Sequence, residues 1–374
     1  MQKTKEGRIA ALLLAVILLL TTTAGCALFG QQEQGLEQQG AEPDRLGSWS
    51  QISQIPSRGA AWRQIVTDSP FQLGKKSVKG SWFVPDGTED YYEIAYGTYP
   101  SIDGSTVALP LAVEFARQHL GFSDEYANDF VGFSTTPYAY EHLITKAPNT
   151  SAGMIRAETT FLDETHPVDL VIATAPSAAE LDAAAQHGVT LVQKPICYDA
   201  FVFITHKNNA VDSLTLEQVR GIYTGEITNW AEVGGADAPI VAYQREEGSG
   251  SQTAMVEGVM QGRPMLPPTM VKVIAGMGSL VDTVAEYRND SASIGYTYKY
   301  YLDNLYQNEE IKILKIDGVP ADEANLRTEA YPLTTCYYGV IRSEDENATG
   351  GQFLDWMLSE AGQQCVAQAG YLPL

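Results

Sequence analysis

An α/β fold of two domains is what this chain predicts. Short apolar runs suited to strands alternate with amphipathic stretches suited to helices, the pattern expected when helices cover a largely parallel sheet. Three of these runs pass into a helix through a junction rich in hydroxyls: Ser105/Thr106, Thr174 to Ser177, and Ser249 to Ser251. The 374 residues are enough for two domains of ordinary size once an N-terminal leader is set aside.

The elements follow in order. Tyr92–Tyr96 reads as a strand, and Tyr99–Thr106 as the loop that feeds a helix near Ala108–Leu120, stopped by Gly121. Val168–Ala173 is an apolar strand, and Ala178–Gln186 is the helix beyond it, stopped by Gly188. Phe201–Ile204 is another strand. Thr215 and Gln218 form a capping box, and Leu216, Val219, Ile222 and Tyr223 then share one helical face up to Gly225. Ile240–Tyr243 is a strand leading to a helix over Gln252–Met260. A capped helix over Ser279–Tyr287, short strands at Ser293–Tyr296 and Cys336–Ile341, and a long helix over Gln352–Ala369 closed by Gly370 complete the chain. Trp230 and Tyr223 are expected in the core.

The most telling segment is Arg245-Glu246-Glu247-Gly248-Ser249-Gly250-Ser251. A strand running through a Gly/Ser turn into a helix leaves backbone N–H groups unpaired at the helix start, and these favour an anion. Arg245 adds a planar guanidinium that can grip an oxyanion with two hydrogen bonds. The other reading is a surface turn in which Arg245 pairs with Glu246 or Glu247. Asp103, ahead of the first junction, either orients that loop or caps a turn.

The N-terminus predicts export. Lys3, Lys5 and Arg8 precede an apolar stretch, Ile9–Leu20, of 12 residues, short for a membrane span and suited to a signal sequence. Thr23-Ala24-Gly25-Cys26 resembles a lipobox, in which Cys26 is acylated and becomes the first residue of the mature chain; an ordinary secretory signal is the alternative. Residues 1–25 are thus read as the signal and 26–48, rich in Gln, Glu and Gly, as a flexible tether. Cys197, Cys336 and Cys365 leave room for one disulfide and one free thiol.

The formal charge is −22. Such acidity excludes a nucleic-acid partner, whose phosphates need Lys and Arg, and it offers an anion no long-range steering. Any anion must be held by local donors. No Cys or His spacing suggests a metal, and His119, His142, His166, His187 and His206 are read as surface or helix-end residues. Ser249 lacks the glycines of a nucleophile elbow, since Glu247 and Ser251 occupy those positions. No enzyme and no cofactor are expected.

Several segments together resemble the phosphate-binding proteins of ABC importers. They are Ala200–Asn208, Leu214–Val219, Ile222–Trp230, Arg245–Ser251, Phe353–Gln363 and, for the lipoprotein branch, Asp103–Thr106. The match runs over roughly residues 90–374. The resemblance implies a two-lobed type II periplasmic-binding-protein fold, with a cleft between α/β lobes and two crossing strands, one near Tyr198–Phe203 and the return near Tyr331–Val340. Lobe I would take residues 49–199 and 334–374, and lobe II residues 200–333. The implied function is capture of inorganic phosphate by hinge closure at the outer face of the cell membrane, as a lipid-anchored monomer serving an ABC permease. Ligand residues carried over are Ser105 and Thr106, Thr150 or Ser151, and Arg245, Ser249, Gly250 and Ser251. Thr174 stands where many relatives have Asp. An ionised Asp only accepts hydrogen bonds, whereas Thr donates or accepts. Another oxyanion such as sulfate, or an envelope sensor without transport, therefore stays open as an alternative.

Overall fold

The computed structural model describes residues 61–71, 75–80, 90–95, 99–149, 155–156, 159–160, 166–247, 249–267, 273–274, 277–286 and 292–374. Cys26, the tether, Thr150 and Ser151 lie outside them.

Seven strands form one open sheet: β1 Ile102–Gly104, β2 Leu170–Ala173, β3 Leu191–His206, β4 Val241–Ala242, β5 Ser293–Tyr298, β6 Ile311–Ile313 and β7 Thr334–Arg342. The order across the sheet is β1-β2-β7-β3-β5-β4, and β6 also pairs with β3. β1 runs parallel to β2 and β4 parallel to β5, whereas β3 and β7 lie antiparallel to their neighbours.

β3 is the spine. Its first part, Leu191–Ala200, pairs with β7, and Phe201–Thr205 pairs with β5. The handover at Ala200/Phe201 falls inside the crossing expected from the sequence. The strand is 16 residues long, not the short apolar run expected. Pro195 and the polar Gln193 and Lys194 disguise its first part. Proline is admitted because the register shifts there: Tyr337 faces Cys197, but Tyr338 faces Pro195, a bulge where a missing ladder donor costs little.

Helices cover the sheet much as their patterns predict. Leu109–Leu120 carries Pro110 in its first turn and ends at Gly121, with φ 66°. Ala178–Gln186 and Leu216–Thr224 both begin with complete capping boxes, from Ser177/Glu180 and Thr215/Gln218. Two of the differences from expectation bear on the site and on the C-terminus. A helix over Thr136–Thr145, with Pro137 at its start, was not anticipated. The C-terminal helix is two, Thr349–Met357 and Glu360–Gln368. Ser359 separates them because its side chain accepts from Gly362 N–H and starts a new helix.

The core is apolar and aromatic. Phe203, Tyr223 and Tyr296 pack with ring centroids 5.7–6.1 Å apart. Trp230 is buried and donates its indole N–H to Ala292 O at 2.9 Å. His119 also belongs to the core rather than the surface: its ring lies 4.0 Å from that of Trp356. Residues 61–71 strap onto the helix Leu109–Leu120, where Trp62 donates to Glu114 at 3.1 Å and Gln118 accepts from the backbone of Ile65 and Val66. Cys197, Cys336 and Cys365 are free thiols. Cys197 faces Tyr337 and Cys336 faces Tyr198 on adjacent strands, so the two thiols point to opposite sides of the sheet and form no disulfide. Among the described residues no group of His, Cys, Asp or Glu is arranged to hold a metal.

Candidate functional site

The Arg245 junction is built as its residues suggest. Arg245 ends a two-residue strand, Gln244–Arg245, that pairs in parallel with Val273–Ile274. Its side chain is buried, whereas Glu246 and Glu247 are exposed. The backbone N–H of Arg245 donates to Gln252 Oε1 at 3.1 Å and to Tyr296 Oη at 3.0 Å, and the Tyr296 hydroxyl itself donates to Gln252. Burial raises the Tyr296 phenol, though the adjacent Arg245 N–H and its charge pull the other way. Ser249 caps the helix, its hydroxyl accepting from Gln252 N–H at 3.2 Å. Gly250 opens that helix. Ser251 is fully buried, and its hydroxyl has no hydrogen-bond partner among the described residues.

The other junctions rise from β1 and β2. Gly104 lies opposite Ile172, and Ser105 N–H donates to Ile172 O at 3.0 Å. Ser105 therefore leaves the sheet at the same end as Thr174, two residues past Ile172. The Ser105 hydroxyl is not used to cap the turn Thr106–Ala108 that runs into the helix behind it. Thr174 is buried, and its carbonyl accepts from the Tyr140 hydroxyl at 2.6 Å.

A fourth junction, not anticipated from the sequence, is Ser134-Thr135-Thr136 at the start of the helix Thr136–Thr145. Asp103 holds it. Its Oδ1 accepts from Gly104 and Ser134 N–H at 2.7 and 2.8 Å, and its Oδ2 accepts from the Ser134 hydroxyl at 2.5 Å and meets His142 Nδ1 at 2.9 Å. Of the two roles considered for Asp103, loop orientation is the one it performs, but the loop is this fourth one as well as its own. Thr135 takes φ 83° and ψ 159°, a region that β-branched residues avoid.

Three of the junctions, those of Thr136, Thr174 and Ser249–Ser251, meet at Gly250. A Cβ placed there would lie 3.1 Å from Thr136 Oγ1 and 3.4 Å from Thr174 Oγ1, so the two threonines press against the start of the Ser249–Ser251 helix. Tyr298 closes the group, donating to Gly250 O at 3.1 Å. A second contact lies further along, where Ala178 N–H donates to Glu257 Oε1 at 3.2 Å. The Thr136/Thr174 side and the Gly250 side thus come from opposite parts of the sheet, beyond β2 and beyond β4. The one side carries the hydroxyls of Thr136 and Thr174, and the other carries Ser249, Ser251 and the Arg245 guanidinium, residue types suited to holding a compact anion. The small void of about 10 Å³ between Tyr99, Pro100, Ile102, Ala112, Phe130 and Val131 is apolar and offers no such chemistry.

The mixed α/β architecture with one open sheet is that of the two-lobed periplasmic-binding-protein fold. A family model described as a PBP superfamily domain matches residues 96–361, and the chain belongs to that superfamily. Among curated relatives, the phosphate-binding protein PstS of Borreliella burgdorferi is 26% identical over 47% of this chain and 63% of its own length, and that of Bacillus subtilis is 27% identical over 49% and 58%. The chain thus spans about 60% of the length of these relatives. Among solved structures, a Clostridium perfringens protein determined with bound phosphate, and provisionally assigned as the substrate-binding protein of a phosphate ABC transporter, aligns with TM-score 0.54 at 28% identity, covering 74% of this chain and 99% of that one. An ABC-type phosphate transport receptor from Vibrio cholerae aligns with TM-score 0.51 at 18% identity over 73% and 99%, a likeness of fold.

Proposed function

We propose that this protein captures inorganic phosphate outside the cytoplasm and delivers it to an ABC permease. The observation that carries this reading is the meeting of Thr136 and Thr174 with Gly250, which sets hydroxyls from one half of the sheet against the Arg245–Ser251 donors of the other. The phosphate-binding relatives support the same ligand. Ser105, Thr106, Thr136, Thr174, Arg245, Ser249, Gly250 and Ser251 form the proposed contact set, to which the family resemblance adds Thr150 or Ser151. Fixed neutral donors replace water around the anion, and Arg245 supplies one full charge.

The proposed lobes are residues 49–199 with 334–374, and 200–333; β3 and β7 serve as the crossing strands. Ligand touching both lobes stabilises the closed arrangement, a hinge closure in which the anion contributes the differential contacts. Cys26 carries lipid in this reading and tethers a monomer to the membrane. Calorimetric titration of the full chain with phosphate tests the function. Micromolar or tighter 1:1 binding is expected, and absence of heat and of any thermal shift at millimolar phosphate rejects it. Mass spectrometry of the mature N-terminus tests the anchor: an unmodified residue there rejects acylation at Cys26.

A further inference from the structure

The Ser249–Ser251 junction and the Ser105/Thr106 junction are joined by a run of buried tyrosines. At one end the Tyr298 hydroxyl, on the last residue of β5, donates to Gly250 O at 3.1 Å. Its ring packs against that of Tyr337 on β7, with centroids 5.8 Å apart. Tyr337 in turn meets Tyr371 edge to face at 6.1 Å. At the other end the Tyr371 hydroxyl donates to Val107 O at 2.5 Å, across 264 positions of sequence. Val107 is the middle residue of the turn Thr106–Ala108, which has no side-chain cap of its own; its side-chain brace is Tyr371. All three tyrosines are buried.

Tyr371 is itself held from several sides. Its N–H donates to Val366 O at 3.2 Å, and the O of the following Leu372 accepts from Tyr198 N–H at 2.8 Å. Its ring stacks on that of Tyr300, with centroids 3.6 Å and planes 8° apart. Tyr300 is pinned in turn, its N–H to Asp199 Oδ1 at 3.0 Å and its hydroxyl to Ala369 O at 2.8 Å. Rings packed in this way have few other arrangements in a dense core, so a shift at one end of the run is felt at the other. We propose that Tyr298 and Tyr371 are positioning residues for the anion: with Tyr337 between them they fix the Gly250–Ser251 donors relative to the Ser105–Thr106 donors, and order at one junction favours order at the other. This rests on the reading of both junctions as donors to one phosphate. It makes the C-terminal segment, which touches none of the proposed contacts with the anion, part of what sets affinity.

The test is calorimetric titration of the full chain with inorganic phosphate, set beside thermal unfolding, in the wild type, Tyr298→Phe, Tyr371→Phe and the double variant. Each single change keeps the ring and deletes one hydrogen bond to a donor junction, and should weaken phosphate binding about threefold to tenfold. The double variant should fall short of the product of the two losses by about twofold or more, because both act on one packed unit. Tyr331→Phe is the comparison. It deletes a buried phenol hydrogen bond of 3.1 Å made to Phe201 O on β3 and not to either junction, and should lower the unfolding temperature while leaving affinity within about twofold. In the wild type, phosphate should slow amide hydrogen exchange at Tyr371 and Leu372 as well as at Ser105 and Thr106. Wild-type affinity in Tyr371→Phe overturns the proposal, as do losses that simply multiply in the double variant. Should Tyr371→Phe not fold, exchange at Tyr371 and Leu372 that phosphate leaves unchanged overturns it instead. Any of these in a wild type that binds phosphate removes this inference alone, whereas a wild type that binds no phosphate removes the reading of the junctions on which it rests.

Discussion

Asp103 grips Ser134 twice, through the backbone N–H at 2.8 Å and through the hydroxyl at 2.5 Å. The two residues are 31 positions apart in sequence, and Asp103 is fully buried. The pair joins β1 to the start of the helix Thr136–Thr145, and so sets where Thr136 stands against Gly250. Asp103→Ala removes an acceptor from two backbone N–H groups, a hydroxyl and His142. It should destabilise the protein by about 2–5 kcal/mol and weaken phosphate binding, because Thr136 loses its anchor. Asp103→Asn keeps one acceptor oxygen and should fall between. Denaturant unfolding read beside calorimetry checks both; a variant as stable as wild type would show that the grip carries no load.

Thr135 follows directly and is held at φ 83°. Backbone in that region costs a non-glycine residue about 1–3 kcal/mol. Thr135→Gly should therefore stabilise the fold by about 1 kcal/mol if the released strain exceeds glycine's extra freedom in the unfolded chain. Binding should weaken or hold, never tighten, since the loop becomes less constrained. A loss of stability in denaturant unfolding would mean that the Thr135 side chain contributes more by packing than its backbone costs.

Arg245 is the single full charge among the proposed contacts. Its backbone is fixed independently of its side chain by Gln252 and Tyr296, so truncation should leave the junction in place. Arg245→Ala should weaken phosphate binding roughly tenfold to a hundredfold or more, from the loss of a charge-assisted hydrogen bond of about 1.5–3 kcal/mol. Arg245→Lys retains charge but not the two-pronged geometry and should recover part of that loss. Unchanged calorimetric affinity in Arg245→Ala would remove this residue from the site.

Local chemistry was legible in the chain, and long-range pairing was not. The capping box at Thr215 announces its helix because both participants lie within four residues, and the same pattern at Ser177 and Glu180 was passed over. The run Arg245–Ser251 reads as an anion junction for the same reason. Ser134–Thr136 carries no such signal. Its geometry depends on Asp103, and the helix behind it follows a residue, Thr135, whose conformation no propensity favours. Tyr298 is equally silent: its role is visible only when β5 brings it to Gly250. The first part of β3 was hidden by Pro195, which reads as a strand breaker until the bulge opposite Tyr337/Tyr338 is known.

Gly250 allows the two sides of the cleft to touch. A methyl group there would sit 3.1 Å from Thr136 Oγ1, close enough to force one side back. Gly250→Ala should weaken phosphate binding modestly, and Gly250→Val should weaken it by about tenfold or more, because in the proposed hinge closure a ligand bridging both halves stabilises the closed arrangement. Unfolding in the absence of phosphate should change by less than about 1 kcal/mol, since a residue at a helix start tolerates a side chain. Small-angle scattering should show the valine variant failing to compact when phosphate is added. Full compaction would place the closing contact elsewhere.

Asp199 lies on β3 beside the handover between its two pairing partners. Its Oδ1 accepts from Ala200 N–H at 2.7 Å and from Tyr300 N–H at 3.0 Å. Burial pushes its carboxyl up to about 7, against the pull of those N–H groups and of Lys299. The folded protein therefore holds a proton here that the unfolded chain releases near 3.8. The stability this provides is full below about pH 4 and is lost as the pH rises through 7. His119 has the opposite sign: burial lowers it from 6.5 to about 4, so its contribution is full above pH 6.5 and is lost as the pH falls through 4. The two offset each other in the acid range, and above pH 6.5 Asp199 acts alone. Asp199→Asn keeps the acceptor for Ala200 and Tyr300 without the buried charge. Thermal unfolding should show this variant gaining most over wild type at pH 8 and least at pH 4, by on the order of a few kcal/mol at the alkaline end. A gain that is flat across pH 4 to 8 would mean that Asp199 does not titrate between the two crossing strands.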